Sequence, residues 1–189
     1  MSITETTTRT GTDIPRTGIY AIDASHTRVG FAVKHFGLSK TRGEFGTVAG
    51  AVTIAEDITA SSVEVEIDAA SFSTGDDTRD GHVRSADFLD VERFPTLAFR
   101  STGLANDGGD WSLTGDLTVK DVTRPVVLEV EFDGETIDPY GNDRVAFSAT
   151  TKIDRTEFGV TWNQALEGGG LVVGKSVAIT LDVEAIRPA

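Results

Sequence analysis

Hydrophobic and polar residues alternate with a period of two along most of this chain. In the stretch 62–69, apolar residues hold the odd positions from Val63 to Ile67, and acidic residues hold the even positions. This pattern predicts β-strands with one buried and one exposed face. Similar alternation predicts further strands at 19–23, 28–35, 43–54, 97–101, 111–120, 124–137, 144–154 and 175–185. Between Phe45 and Val48 the apolar side changes from odd to even positions, which predicts a bulge in that strand.

One segment has helical spacing instead, and it predicts a single α-helix over about 76–90. Val83, Ala86 and Leu89 recur at intervals of three, and acidic residues precede them, as the start of a helix dipole favours. Phe94 and Pro95 are expected to end this element, because proline disfavours helical backbone before it. A second segment, 158–170, reads as a loop that contains at most one helical turn.

The strands must bury their apolar faces together, either as a two-sheet sandwich or as one closed barrel. Long strands joined by short turns favour antiparallel neighbours and an up-and-down barrel. A chain of 189 residues suits a single domain of this kind. Several inward positions carry small residues, which indicates space for a ligand inside the barrel.

Composition excludes several classes of function. The net charge of −13 argues against non-specific nucleic-acid binding and against docking on anionic membranes by charge alone. No apolar run approaches the ~20 residues of a membrane span, so no stable membrane insertion is expected. The absence of cysteine excludes disulfides and thiolate metal sites.

The start of the chain lacks the pattern of a secretory signal, and a cytoplasmic location is therefore expected. Residues 1–17 are rich in threonine and poor in apolar side chains, which predicts a disordered tail before a barrel domain at 18–189. The oligomeric state is left open, with a homodimer as one option.

Three histidines, His26, His35 and His82, are the candidates for acid–base or metal chemistry. Their spacing does not match a metal site, and neither a cysteine nor a GxSxG nucleophile motif accompanies them. The sequence therefore predicts no metal, no cofactor and no catalytic residue. Structural roles remain open for all three, with His26 as the anchor of a turn. The alternative of an enzyme that uses a histidine as base on an apolar substrate also remains open.

Two arginines, Arg79 and Arg155, stand beside apolar residues and could bind an anionic group, since a guanidinium suits bidentate contact with a phosphate. The alternative is that each forms a local ion pair, Arg79 with Asp80 and Arg155 with Asp154.

Several short motifs occur in order over almost the whole domain, and together they carry a resemblance to a known family. They are 20–27 (YAIDASHT), 31–35 (FAVKH), 43–45 (GEF), 79–82 (RDGH), 86–90 (ADFLD), 94–96 (FPT), 113–118 (LTGDLT) and 154–159 (DRTEFG). On these residues the chain resembles the YceI-like family of polyisoprenoid-binding proteins.

The resemblance implies an all-β fold, an elongated eight-stranded antiparallel lipocalin-like barrel with the helix covering it. It also implies an apolar tunnel that binds and carries a polyisoprenoid or similar long-chain lipid without catalysis. Residues expected to line the tunnel are Phe31, Val33, Phe45, Phe99, Leu117, Phe147, Phe158 and Trp162. Arg79, His82 and Arg155 are expected near the head group. A stress-related scaffold protein, in which the cavity has no role, is a further alternative.

Overall fold

A computed structural model describes residues 14–188 of the chain. Within them lie eleven strands and one α-helix, α1 (Asp77–Arg84). The strands are β1 (Gly18–Ile22), β2 (Arg28–His35), β3 (Ser39–Phe45), β4 (Val48–Ile54), β5 (Ser62–Asp68), β6 (Phe72–Ser73), β7 (Thr96–Asp107), β8 (Asp110–Val119), β9 (Val122–Ile137), β10 (Asp143–Asp154) and β11 (Val173–Arg187).

The strands form one closed antiparallel barrel, so the prediction of an eight-stranded barrel is confirmed and the sandwich is excluded. Hydrogen-bonded neighbours follow the order β1-β4-β5-β7-β8-β9-β10-β11, and β11 pairs with β1 to close this ring of eight. Short turns join β7 to β8, β8 to β9 and β9 to β10, as the sequence predicts, whereas longer segments join β5 to β7 and β10 to β11. Each apolar face points inward, because closing the sheet gives every one-faced strand the same interior.

At each of three positions around the ring, two short strands follow one another in place of one long strand. β1 and β2 both pair with β11, β3 pairs with β2 while β4 pairs with β1, and β5 is followed by β6. The break between β3 and β4 lies at Gly46 and Thr47, where the sequence predicts a bulge in one strand. The break between β5 and β6 is a 3₁₀ turn, Ala69–Ser71.

The helix is shorter than the predicted segment 76–90. Asp76 caps its start by accepting a hydrogen bond from the Arg79 N–H at 2.9 Å, as expected. It ends at Arg84 because Ser85 adopts an extended conformation and its hydroxyl donates to the His82 carbonyl at 2.7 Å. Turns follow in place of a helix, and they bury Phe88 and Leu89 in the core. The prediction of helix beyond residue 84 is wrong.

The two ends of the barrel differ in their connections. The α1 end contains α1, the β2–β3 hairpin, the β8–β9 turn and the long β10–β11 connection. The β1 end contains the start of β1 and the β4–β5, β7–β8 and β9–β10 turns. None of the helices in the described residues is both long enough and apolar enough to cross a membrane.

Residues 14–17, which the sequence assigns to the tail, pack against the β1 end. Pro15 is buried, and the Arg16 N–H donates to Glu135 Oε2 at 2.8 Å. The Thr17 carbonyl accepts a hydrogen bond from Arg187 at 2.5 Å. These residues therefore belong with the barrel rather than with the predicted tail. The rest of that tail, residues 1–13, lies outside the described residues.

Candidate functional site

The barrel encloses a cavity of about 770 Å³ that reaches from the β1 end to the α1 end. This volume lies within the range of small-molecule sites, roughly 300–1,000 Å³. Side chains from the strands, from α1 and from the β10–β11 connection form its wall, and most of them are apolar. The eight residues predicted to line a tunnel all lie on this wall: Phe31, Val33, Phe45, Phe99, Leu117, Phe147, Phe158 and Trp162.

Aromatic rings lie along the wall because glycines make room for them. Phe31 stacks on Phe72 with ring centroids 5.0 Å apart, and Phe45 meets the same ring edge-on at 5.7 Å. Gly43 is the cross-strand partner of Phe31, and a Cβ added to Gly43 would collide with the Phe31 ring. A Cβ added to Gly115 would likewise collide with the ring of Phe99, which lies diagonally across on β7. The missing side chains let both rings lie close to the wall rather than fill the interior.

An aromatic cluster stands where α1 meets the β10–β11 connection. The His82 ring packs edge-on against Trp162 at 4.8 Å and against Phe88 at 5.1 Å. Its Nε2 lies 2.9 Å from Asp87 Oδ2, and the ring stays partly exposed. His82 therefore combines an apolar packing surface with a polar edge at the mouth of the cavity.

Arg79 also lies at this mouth, and the predicted ion pair with Asp80 does not form. Its Nε donates to Thr74 Oγ1 at 2.7 Å, and its guanidinium stays exposed. Asp80 instead is buried and accepts hydrogen bonds from Thr74 and Ser73. Burial is the largest single effect and opposes ionisation of Asp80, but the hydrogen bonds from Thr74 and Ser73 and the charge of Arg84 together lower the pKa of this carboxyl. Arg79 is consequently an exposed cation that has no carboxylate partner among the described residues, although Thr74 accepts two of its hydrogen bonds.

Arg155 has a structural role that the sequence did not reveal. Its side chain is buried, and its guanidinium donates to the backbone carbonyls of four residues. The acceptors are Gly174 at 2.9 Å, Val160 at 2.6 Å, Trp162 at 3.0 Å and Val173 at 3.2 Å. Burial lowers the pKa of Arg155. Arg155 thus holds the two ends of the β10–β11 connection together.

Asp154, the ion-pair partner proposed for Arg155 from the sequence, has a different partner. Its carboxylate accepts hydrogen bonds from the N–H and the hydroxyl of Thr156, at 2.9 and 2.6 Å. A head-group role for Arg155 stays a prediction, and four of its five N–H donors are already used within the protein.

The three histidines do not share one site. His35 and His82 lie on the cavity wall at the α1 end, whereas His26 lies outside it. The Nδ1 of His26 is 2.8 Å from Asp23 Oδ2, and its N–H donates to the Asp23 carbonyl at 3.1 Å. His26 therefore anchors the turn between β1 and β2, one of the roles that the sequence left open.

Arg144 forms an ion-pair centre that sequence reasoning missed. It contacts Asp23 at 3.0 Å and Asp138 at 2.9 Å, and it also pairs with Glu184. Asp23, His26 and Glu184 have ligand atoms within 4.8 Å of one another, but the Arg144 guanidinium already supplies the positive charge there. No local motif marks this centre, because Asp23 and Arg144 are 121 positions apart.

Comparison with known proteins agrees with the fold and the motifs. The family model described as a YceI-like domain matches residues 20–185. Protein YceI of Escherichia coli (strain UMN026) is 40% identical over 144 residues, which cover 75% of this chain and 75% of that protein. A relative from Ectopseudomonas mendocina is 37% identical over 172 residues, or 89% of this chain and 87% of that protein.

Solved structures share the barrel. Burkholderia cenocepacia BcnA superposes with a TM-score of 0.75 at 24% identity, over 87% of this chain and 99% of that one. A domain from Saccharophagus degradans, described as polyisoprenoid-binding and implicated in plant cell wall breakdown, superposes with a TM-score of 0.67 at 16% identity. The superposition covers 89% of this chain and 98% of that domain's chain. With the family model matched over nearly the entire barrel and these relatives at 40% and 37% identity, the chain belongs to the YceI-like domain family.

Proposed function

We propose that this protein binds a long-chain isoprenoid, or a similarly elongated amphiphilic lipid, in the barrel cavity and carries it without changing it chemically. The observation that carries the proposal is the distribution of charge along the cavity wall. Among the described residues, the charged residues that border the cavity all belong to the α1 end: Lys34, Asp76, Arg79 and Arg155. The remaining length of the wall is apolar or carries neutral hydroxyl groups.

Such a cavity suits an amphiphile bound in one direction. The tail would extend towards the β1 end, where each buried CH₂ contributes about 0.8 kcal/mol. The head group would lie at the α1 end near Arg79 and His82, whose polar atoms face the mouth. The shared fold with a domain described as polyisoprenoid-binding supports the choice of ligand class.

Native mass spectrometry of the protein purified from its host without detergent tests this proposal. We expect a fraction of the protein to carry one lipid mass that is released on unfolding. Ala149→Phe places a ring on the cavity wall and should lower binding of added geranylgeraniol at least tenfold, since the ring takes up space that the tail needs.

Ala49→Phe is the matched control, because Ala49 lies on β4 and is exposed. It should leave binding unchanged. Equal binding by the wild type and Ala149→Phe would contradict the proposal and would favour a scaffold in which the cavity has no role. A change in the mass of the added lipid would instead favour an enzyme, with His35 or His82 as the base.

A further inference from the structure

A patch at the α1 end combines exposed apolar side chains with cations that have no carboxylate partner in the described part of the chain, beside the mouth of the cavity. The apolar residues are Leu38, Phe36 and Leu171, which are 86%, 45% and 40% exposed. The Phe36 N–H donates to the Val172 carbonyl at 2.9 Å, so the β2–β3 hairpin tip and the β10–β11 connection lie side by side. Together with Lys34, Lys40 and Arg42, these three residues are called the docking rim below.

The cations of the docking rim are grouped although the chain as a whole carries a net charge of −13. Lys34 and Lys40 are cross-strand partners, and their parity places them on the outer face with Arg42, which pairs with Ala32. Within residues 14–188, neither lysine nor Arg42 forms an ion pair with a carboxylate. Like charges directly opposite each other destabilise a sheet. An anionic partner outside the chain would relieve that repulsion.

The hairpin tip also holds an unfavourable backbone conformation that exposes its apolar side chains. The Leu38 N–H donates to the His35 carbonyl at 3.0 Å, and the two residues between them have positive φ, 53° at Phe36 and 71° at Gly37. A β-turn with positive φ at both central residues favours asparagine or aspartate followed by glycine at these two positions. A bulky phenylalanine at positive φ is an outlier, and such outliers cluster at functional sites.

We propose that the docking rim seats the protein on the surface of an anionic lipid bilayer, with Phe36, Leu38 and Leu171 in the interface and the cations on the lipid phosphates. Apolar wedges flanked by basic residues bind such interfaces reversibly. The net negative charge of the chain opposes this only weakly, because carboxylates more than about 8 Å from the lipid phosphates are largely screened at physiological ionic strength. This proposal rests on the proposed function, since it gives the lipid a route into the cavity.

Position supports the bilayer over a soluble partner. Lys34 and His35 belong to the hairpin and also line the cavity, as do Val172 and Val173 of the adjoining connection. A bilayer in contact with the docking rim would therefore lie next to the mouth, and an isoprenoid tail could enter without crossing bulk water.

Vesicle flotation of the full chain tests the proposal. The probes are phosphatidylcholine vesicles with and without phosphatidylglycerol, and we expect the wild type to float mainly with the anionic ones. Leu38→Ser should lower the bound fraction about tenfold, as expected for one leucine removed from an interface. Tyr140→Ser is the matched control, because Tyr140 is also 86% exposed but lies at the β1 end, and it should change nothing.

The two cations that lie off the cavity wall give a second test. Lys40→Gln and Arg42→Gln should each lower binding to anionic vesicles about fivefold and leave binding to neutral vesicles unchanged. Phe36→Asn gives a third test, because it should change stability and vesicle binding in opposite directions. It should raise the melting temperature, because asparagine tolerates positive φ, and it should lower vesicle binding.

Three results would overturn the proposal. The first is that the wild type floats with neither kind of vesicle. The second is that Leu38→Ser and Tyr140→Ser lower the bound fraction equally. The third is that the wild type is a dimer, and that Leu38→Ser converts it to monomers without changing the bound fraction. The last would assign the docking rim to a second copy of the chain.

Binding of geranylgeraniol added from ethanol separates the two proposals. Leu38→Ser should retain it, and a wild type that floats but does not bind it would refute the proposed function alone.

Discussion

The two ends of the barrel use charge and apolar side chains in opposite ways. At the β1 end, arginines are paired with carboxylates, as in Arg16 with Glu135 and Arg187 with Asp143, and Tyr20 is fully buried beneath them. At the α1 end, Arg79 and Lys40 have no carboxylate partner among the described residues, and aromatic rings border an open mouth. The comparison indicates that stability is concentrated at one end and ligand access at the other.

Tyr20→Ala should cause the largest loss of stability. A small loss would contradict the conclusion that stability is concentrated at the β1 end. Tyr20 is 0% exposed, packs with Val52, Ile54 and Val145, and donates its hydroxyl to the Arg16 carbonyl at 3.0 Å. Removing a buried ring of this size costs about 3–5 kcal/mol. Urea unfolding measures the loss. Geranylgeraniol binding, measured where the variant is folded, should stay near that of the wild type.

Trp162→Ala at the α1 end is the counterpart, with the effects reversed. The Trp162 ring is only partly buried, so its removal should lower the free energy of unfolding by about 1 kcal/mol. It should also weaken geranylgeraniol binding severalfold, because the ring forms part of the cavity wall. A variant that is strongly destabilised but binds normally would contradict the division between the ends.

Arg155→Met sharpens the comparison because it tests a stabilising group at the α1 end. The change removes the Arg155 donors from four carbonyl oxygens, of which that of Val173 keeps a hydrogen bond from Asn163 Nδ2, and it should cost about 2–4 kcal/mol. Arg155→Lys should restore little of this, since an ammonium cannot reproduce the planar set of donors. If instead both variants unfold like the wild type and lose only lipid binding, Arg155 is a head-group contact, as the sequence predicts.

The Arg144 centre gives a smaller effect with a defined pH dependence. Hydrogen bonds from Ser25 and His26 lower the pKa of Asp23, and those from Asn142 and Arg144 lower the pKa of Asp138. A carboxyl with a lowered pKa stabilises the fold above its ordinary pKa of about 3.9, and this stability is lost as the pH falls below that value.

Arg144→Met should therefore cost on the order of 1 kcal/mol at neutral pH and should make the acid limb of unfolding shallower. Thermal unfolding between neutral and acid pH measures both effects. An unchanged acid limb would show that Arg144 contributes little to the low pKa values of its partners.

Arg79→Gln should give the smallest change in stability, within about 0.5 kcal/mol, because its side chain is exposed. It should lower the affinity for an isoprenoid phosphate a fewfold and leave that for geranylgeraniol unchanged. Isothermal titration with both ligands measures the difference. Equal effects on the phosphate and the alcohol would exclude Arg79 as a contact for the charged group.

The sequence predicted features that depend on local alternation. Inward positions such as Val65 and Phe99 could be read from neighbouring residues, since a strand alternates regardless of its partners. Features that depend on distant contacts could not be read in this way. The centre at Arg144 and the buried donors of Arg155 arise only when remote segments meet. The end of α1 depends on one hydroxyl, that of Ser85, which helical spacing does not report.

The recognised motifs supplied what alternation could not, namely the choice of the barrel over the sandwich and the class of ligand that is proposed. They did not distinguish Arg155, which binds backbone carbonyls, from Arg79, which has no carboxylate partner within residues 14–188, because both occur in motifs of the same kind. A cytoplasmic location and a homodimer stay predictions.

The segment between β6 and β7 has a further consequence for motion. Among the described residues, the backbone hydrogen bonds of α1 and the following turns, such as Leu89 to Val83 and Phe94 to Asp90, stay within the segment, apart from the one that the Pro95 carbonyl accepts from the Ala69 N–H at its end. The ring of strands can therefore stay intact while this segment loosens. Its amides should exchange with deuterium through small local openings, whereas those of β10 and β11, bonded on both sides, should wait for global unfolding.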